Sequence, residues 1–273
     1  RCLTRKYWLK KIFFHIHTVI KEYYQLVKPR MVFMNVLVAV AAFVFASYGS
    51  INWQAFGAMF IGLSFVVASA CVFNNYADRF IDAHMERTKN RALAAGRIKP
   101  VHALFFGFVL IVCGILLLLM VHPLALGAAL FGFAVYVCVY TPLKSKTGYA
   151  LYAGAVAGAM PPVVGYAAAA GRLDLYALAL FLLLFLWQIP HFLAIARYRY
   201  EEYRAAGVPL LVRRPRDEKE RRRARQIFHY SLVVIVLVCL TLSTYQKRTH
   251  GARHERQGLC VVKNHGGEPN QVD

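Results

Sequence analysis

The sequence predicts an all-α fold, a polytopic transmembrane helical bundle. Hydrophobic residues make up 59% of the 273 residues, and several apolar runs reach the roughly twenty residues with which a helix crosses a bilayer. Lipid offers no hydrogen-bond partners, so spanning segments outside a closed barrel must be helical. The number and spacing of the runs predict one bundle of about seven spans.

The predicted spans are apolar runs separated by polar connections, several of which contain glycine or proline. In chain order they are Met31–Tyr48, Ala55–Phe73, Ala103–Val121, Leu124–Tyr140, Leu151–Ala170, Leu175–Ala196 and Phe228–Tyr245. Together they define a transmembrane bundle over residues 31–245.

The distribution of charge orients this predicted bundle. The formal net charge is +20, and Lys and Arg concentrate in alternate connections. Residues 1–30 carry eight of them, residues 79–99 six and residues 197–225 eleven, whereas the turn at 49–53 carries none. Basic connections stay on the cytoplasmic side of a membrane, so we predict a cytoplasmic N terminus. Topology and anionic lipid therefore account for the charge without a nucleic-acid partner.

Two terminal segments flank the predicted bundle. The sequence predicts that residues 1–30 form a basic amphipathic interfacial segment. Leu9, Ile12 and Phe13 lie on one face, which is typical of a helix on a membrane surface. Residues 246–273 read as a polar tail without amphipathic period. A shifted reading frame would produce a sequence of this kind, so we hypothesise that the tail is not a native functional element.

A cluster of oxygen-bearing side chains directly follows the second predicted span. Asn74, Asp78 and Asp82 recur every four residues, which places them along one face of a helix. Carboxylates near an apolar span are costly and usually functional. Together with Arg87 and Arg91 they combine a hard-cation site with an anion site, as a Mg²⁺-bound phosphate ester requires.

Two further motifs can be interpreted either as functional or as purely structural. Lys144 and Lys146 follow the fourth span on the same predicted side as the acidic cluster, where they either bind phosphate or merely orient the hairpin. His191 follows Pro190 in WQIPHF, which begins at Trp187. It binds an iron or an anionic group or moves a proton, or else it packs against the carbonyl that the proline frees.

Several segments together resemble the protoheme IX farnesyltransferase family, within the intramembrane aromatic prenyltransferase superfamily. They are YYQLVKPR from Tyr23, NNYADRFIDAHMERTKNR from Asn74, YTPLKSKT from Tyr140, GAMPPVVGY from Gly158 and WQIPHF from Trp187. Members of that family usually have nine spans, whereas this sequence predicts seven.

The resemblance implies a reaction and a set of site residues. Farnesyl diphosphate would bind through Mg²⁺ and ionise, a vinyl group of heme B would attack, and water would complete the hydroxyethylfarnesyl group of heme O. The implied catalytic and metal residues are Asn74, Asp78 and Asp82. The implied diphosphate-binding residues are Arg87, Arg91, Lys144 and Lys146, and the heme-side candidates are His191, Trp187, Lys28 and Arg30.

The same resemblance implies partners and a cellular location. Besides the lipid bilayer, we expect heme A synthase or oxidase assembly proteins as partners. The sequence shows no long Ser/Arg-rich leader, which favours a bacterial plasma membrane over the mitochondrial inner membrane. Two alternatives stay open: a prenyltransferase for a quinone precursor such as 4-hydroxybenzoate, and a non-catalytic membrane protein if the chain is truncated.

Overall fold

The chain folds into a bundle of helices. The computed structural model describes residues 17–265, with side chains described through residue 241, and that part of the chain contains no β-strand. Residues 17–26 are helical, and the helices that follow are α1 (Pro29–Ala46), α2 (Trp53–Ala83), α3 (Pro100–Leu119), α4 (Pro123–Leu143), α5 (Ala150–Gly158), α6 (Met160–Ala170), α7 (Leu175–Tyr198), α8 (Tyr200–Ala205) and α9 (Glu218–His265).

Seven segments of the described chain are long and apolar enough to cross a membrane. Five of them are the single helices α1 to α4 and α7, one is the pair α5 and α6, and the last is the first half of α9, Glu218–Thr241. Large apolar side chains such as Phe105, Phe108 and Leu116 stay exposed on their outer faces, as a lipid-facing surface requires. The predicted all-α polytopic class and the number of spans are confirmed.

Local sequence explains where the helices begin. Proline stands in the first turn of α1, α3 and α4, where its missing N–H is no loss. The side chain of Asn52 accepts a hydrogen bond from the backbone N–H of Ala55 at 3.0 Å and caps α2. Asp174 caps α7 in the same way through the N–H groups of Tyr176 and Ala177.

Two span boundaries differ from the prediction. Helix α2 runs to Ala83, ten residues beyond the predicted end at Phe73, and α9 begins at Glu218 and not at Phe228. Hydropathy marks where a segment leaves the apolar layer, and the helical backbone continues past that point; in α2 the carboxylates there are paired with Lys144 and Arg91. Helix α9 also continues through the predicted limit at Tyr245, so no helix end separates the predicted tail from the bundle.

The terminal predictions fall mostly outside the described residues. Of the predicted surface helix, residues 17–26 are helical, and residues 1–16 lie outside the described part. Residues 266–273 lie outside it as well, and the reading-frame hypothesis for the tail stays a prediction. Glu22 of the N-terminal helix bonds Arg97 at 2.7 Å, and Leu26 is buried, so this helix is held against the turn before α3.

Small residues allow the spans to pack closely. At the contact of α1 with α6, a Cβ added to Gly165 would stand 1.9 Å from the carbonyl oxygen of Ala39. On the other side of the bundle, Gly114 of α3 meets Val66 and the backbone of Gly62 on α2. Close backbone approach is how membrane helices associate, because lipid provides little hydrophobic drive between them.

We predict that Gly165→Ala lowers the stability of the bundle by about 3 kcal/mol. The new methyl group meets backbone atoms of α1, which cannot move aside as a side chain can. Thermal unfolding of the purified protein in detergent measures the change. Gly127→Ala on α4 is the matched control, since a Cβ there meets no atom within 4 Å, and equal stability of the two variants would contradict the prediction.

Candidate functional site

A cavity of about 310 Å³ lies where α2 leaves the apolar part of the bundle. It is lined by Asn74, Asp78 and Asp82 from α2, together with basic side chains from three other segments, namely Lys28, Arg87, Arg91 and Lys144. The three α2 residues are buried, with 1%, 8% and 5% of their surfaces exposed. The four-residue register therefore brings them onto the same wall of one cavity, as the sequence predicts.

Each of these oxygen-bearing side chains is matched with a cation. Lys144 Nζ lies 2.5 Å from Asp78 Oδ2, and Arg91 Nη1 lies 2.7 Å from Asp82 Oδ2. Lys28 Nζ donates to Asn74 Oδ1 at 2.6 Å. A buried carboxylate without such a partner is strongly destabilising, so the pairing explains how a charged cavity persists inside an apolar bundle.

The side-chain amide of Asn74 is held through its nitrogen as well as its oxygen. Its Nδ2 donates to Thr141 Oγ1 at 3.1 Å, and Thr141 in turn donates to the carbonyl oxygen of Tyr136 at 2.8 Å. Within α4 the stretch Val135–Tyr140 is π-helical, and the rings of Tyr136 and Tyr140 in this stretch stack with 5.2 Å between their centroids. Such π-helical turns occur often at functional sites, and here the turn brings both rings to the cavity wall.

Lys28, a heme-side candidate from the sequence, lines this charged cavity, and its role toward heme stays a prediction. It precedes Pro29 and adopts a left-handed backbone conformation, with φ 52° and ψ 65°, which residues with a Cβ rarely do. The strained turn directs the ammonium toward Asn74. Loss of hydration lowers the pKa of Lys28 from 10.5 to about 8.

Arg30 and Lys146 lie apart from the charged cavity. Lys146 is exposed and does not line the cavity, because residues two apart in a helical turn do not share a face. Arg30 is also exposed and lines an open groove between α1 and α9 with Phe33 and Phe228. Of the two lysines in the turn, only Lys144 lines the charged cavity among the described residues, and a role of Lys146 in diphosphate binding stays a prediction.

Two residues of the site were missed from the sequence. Glu202 of α8 lies 3.6 Å from Arg87 and 3.0 Å from Arg199, and Tyr203 lines the cavity beside it. The chain after α8 also lines the cavity, through Leu210 and Leu211. The acidic pair Glu201–Glu202 inside an otherwise basic connection was the available signal in the sequence.

A second cavity of about 240 Å³ adjoins the first on its bundle side. Tyr136 and Phe192 line both, so the two cavities share a wall. The second cavity is mostly apolar, and we call it the inner chamber. Its polar lining includes Asn35, Gln188 and His191, with Trp187 beside them.

His191 is held by three groups. Its Nδ1 lies 2.7 Å from Ser231 Oγ, and its ring stacks on Trp187 with 4.9 Å between centroids. Trp187 Nε1 donates to the carbonyl oxygen of Ser231 at 3.0 Å. The Phe228 ring also packs against the imidazole, with 5.0 Å between their centroids. The imidazole therefore pairs with a hydroxyl of α9, and the predicted alternative of a bond to the carbonyl freed by Pro190 is not what the structure shows.

The donor set of the charged cavity suits a metal ion that shares its coordination with a ligand. Within the described residues, no group of three or more His, Cys, Asp or Glu side chains stands close enough to hold an ion. Asp78, Asp82 and Asn74 instead offer two carboxylates and an amide oxygen in one cavity. Mg²⁺ is bound in this way when substrate phosphates and water complete its octahedron.

We predict that Lys144→Met destabilises the protein by about 3 kcal/mol because Asp78 keeps a buried charge without a partner. The double variant Asp78→Asn/Lys144→Met removes both charges and should recover most of the lost stability. Thermal unfolding of the three proteins in detergent measures the difference. A double variant as unstable as the single one would show that charge pairing does not hold this site together.

Comparisons with known proteins fit this geometry. A profile of the UbiA prenyltransferase family matches residues 35–249. Protoheme IX farnesyltransferase of Yersinia enterocolitica is 47% identical over 195 residues, which cover 71% of this chain and 66% of that protein. The enzyme of the same name from Sodalis glossinidius is 46% identical over the same coverage. The chain thus matches just under two thirds of the length of these relatives.

Solved structures share the fold at low sequence identity. A UbiA homologue from Archaeoglobus fulgidus bound to DMAPP and Mg²⁺ superposes with a TM-score of 0.62 at 14% identity, covering 86% of this chain and 88% of that one. Digeranylgeranylglyceryl phosphate synthase gives a TM-score of 0.61 at 18% identity, covering 90% and 94%. These similarities establish the helical architecture.

Proposed function

We propose the reaction of this chain from the premise that it belongs to the UbiA prenyltransferase family, whose profile matches residues 35–249. We infer that it transfers the farnesyl group of farnesyl diphosphate to a vinyl group of heme B and yields heme O. One observation carries the proposal: a charged cavity shares a wall with an apolar chamber that holds Trp187 and His191. The names of the relatives in Yersinia and Sodalis support this choice of acceptor.

The charged cavity binds the diphosphate. Arg87, Arg91 and Lys144 neutralise the charge that develops on the leaving group as its bond to the farnesyl carbon breaks. Without substrate, Lys144 pairs with Asp78 and Arg91 pairs with Asp82. Substrate binding therefore exchanges partners, because the cations turn to phosphate oxygens and leave carboxylate oxygens available.

Asn74, Asp78 and Asp82 would hold Mg²⁺ in this cavity. The ion supplies Lewis-acid neutralisation of the diphosphate when it is bound. The three residues fit that role because they place oxygen donors on one helix face, two of them charged, beside the phosphate-binding cations. The UbiA homologue from Archaeoglobus fulgidus bound to DMAPP and Mg²⁺ supports the assignment.

The inner chamber receives the farnesyl chain and the reacting edge of the acceptor. Its walls are mostly apolar, so an allylic cation formed there is protected from bulk water. Tyr136 and Phe192 at the shared wall present aromatic rings that stabilise positive charge. Trp187 and His191 lie on the acceptor side, and the groove beside Arg30 adjoins the chamber through Met34.

The protein is integral to a membrane, and we place it in the bacterial plasma membrane. Basic connections surround the charged cavity, so this end of the bundle and the N terminus would face the cytoplasm. Both organic substrates are lipophilic and would enter from the bilayer. The product serves heme–copper oxidases, which makes heme A synthase or oxidase assembly proteins the expected partners.

Heme extraction tests the proposed function. The chain is expressed with a heme–copper oxidase in a host that lacks its own heme farnesyltransferase, and the extracted hemes are analysed by chromatography and mass spectrometry. We expect a hydroxyethylfarnesyl heme that the empty host does not make. Membrane-inserted protein without farnesylated heme would refute the proposal, and prenylation of added 4-hydroxybenzoate by the same membranes would favour the quinone-precursor alternative.

We predict that Asp82→Asn lowers heme O formation by on the order of 100-fold, because the metal-diphosphate loses one charged ligand. Membrane content and thermal stability should change much less, since Asn75 still accepts from Arg91, at 3.4 Å. Glu86→Gln is the matched control: Glu86 lies one turn further along, is exposed and pairs only with Lys89 in the described part of the chain. Similar activity of the two variants would contradict the metal assignment.

A further inference from the structure

Gln188 is a buried polar residue to which the chemistry proposed above assigns no role. Only 5% of its surface is exposed, and it lines the mostly apolar inner chamber. In the part of the chain whose side chains are described, the Gln188 carboxamide makes no hydrogen bond, and the residue lines the chamber. A buried amide without a partner costs free energy, which points to a ligand that satisfies it.

Gly158 makes room for this carboxamide. A Cβ added to Gly158 would stand 2.2 Å from Gln188 Oε1 and 2.9 Å from its Nε2. Helix α5 ends at Gly158, and the chain continues into α6 after Ala159. The missing side chain at this junction therefore keeps the Gln188 amide at its place in the chamber wall.

His191 presents a ring nitrogen on the same wall. It follows Gln188 by three residues on α7, so the two side chains are neighbours on one helix face. Ser231 Oγ has a single proton and donates it to the carbonyl oxygen of Phe228 at 2.7 Å. With the Ser231 proton placed in that bond, His191 Nδ1–H donates in the 2.7 Å contact with Ser231 Oγ, and this tautomer leaves Nε2 with a free electron pair.

We propose that Gln188 positions, and His191 deprotonates, the water molecule that ends the reaction. This inference rests on the proposed heme farnesylation. The vinyl terminal carbon bonds to the farnesyl carbon, diphosphate leaves with the electron pair of the broken C–O bond, and positive charge remains on the vinyl carbon next to the porphyrin. The water oxygen bonds to that carbon, and its proton passes to His191 Nε2.

Control of water matters because the cation has a competing fate. If no water is in place, the neighbouring carbon loses a proton to the departed diphosphate and an alkene forms, which is lighter than heme O by one water. A buried water needs two or more polar partners, and the Gln188 amide with the His191 nitrogen supplies them in this mostly apolar chamber. Gln188 is thus a positioning residue, and His191 is the base.

The product ratio tests the proposal. Gln188→Leu removes the amide at similar volume, and Gly158→Ala pushes the flexible end of Gln188 aside, since the three atoms nearest to the added Cβ all belong to that side chain. We expect both variants to raise the ratio of the alkene product to heme O at least tenfold, with diphosphate release reduced much less. Ser231→Ala should shift the ratio in the same direction, because His191 loses the acceptor that fixes its tautomer.

Gly127→Ala is the matched control for Gly158→Ala, because both add one methyl group and a Cβ at Gly127 meets no atom within 4 Å. It should give the wild-type ratio. A wild-type ratio in Gln188→Leu and Gly158→Ala, with farnesylated heme still formed, would overturn the role of Gln188 and leave the proposed function intact. If Gln188→Leu fails to insert, Gly158→Ala decides. Absence of any farnesylated heme from the wild-type chain would overturn the proposed function and this inference together.

Discussion

The pairing of buried charge is the constraint on which the rest of this structure depends. Helix α2 carries Asp78 and Asp82 at depths where an unpaired carboxylate would cost several kcal/mol. Their partners come from elsewhere: Lys144 follows α4, and Arg91 follows the end of α2 itself. These contacts hold the segments at fixed distances from one another. They also assemble, in one place, the cations and oxygens that a metal-bound diphosphate requires.

A division between a charged and an apolar cavity follows from that pairing. The charged groups neutralise one another near the end of α2, so the adjoining chamber can remain mostly apolar. Ionisation of a prenyl diphosphate needs both environments, one for the leaving anion and one for the cation. Tyr136 and Phe192 form the boundary between them. In such a chamber the few polar groups, above all Gln188 and His191, determine where a water molecule can stand.

The sequence predicted those parts of the fold and the site that depend on local periodicity. Apolar runs located the seven spans of the described residues, and a four-residue step placed Asn74, Asp78 and Asp82 on one wall. Local reasoning failed where distant partners decide the outcome. Helix α2 continues to Ala83, where its carboxylates meet Lys144 and Arg91, and the placement of Lys28 depends on its contact with the distant Asn74.

By itself, then, the sequence determined an all-helical membrane bundle with an acidic face at one end, because helical period and hydropathy are properties of neighbouring residues. Only the tertiary structure decided that Lys28 turns into the charged cavity, that Glu202 reaches Arg87, and that Gln188 faces a chamber across from Gly158. Those outcomes depend on contacts between segments far apart in the chain. Packing geometry sets such contacts, and no local pattern of residues encodes them.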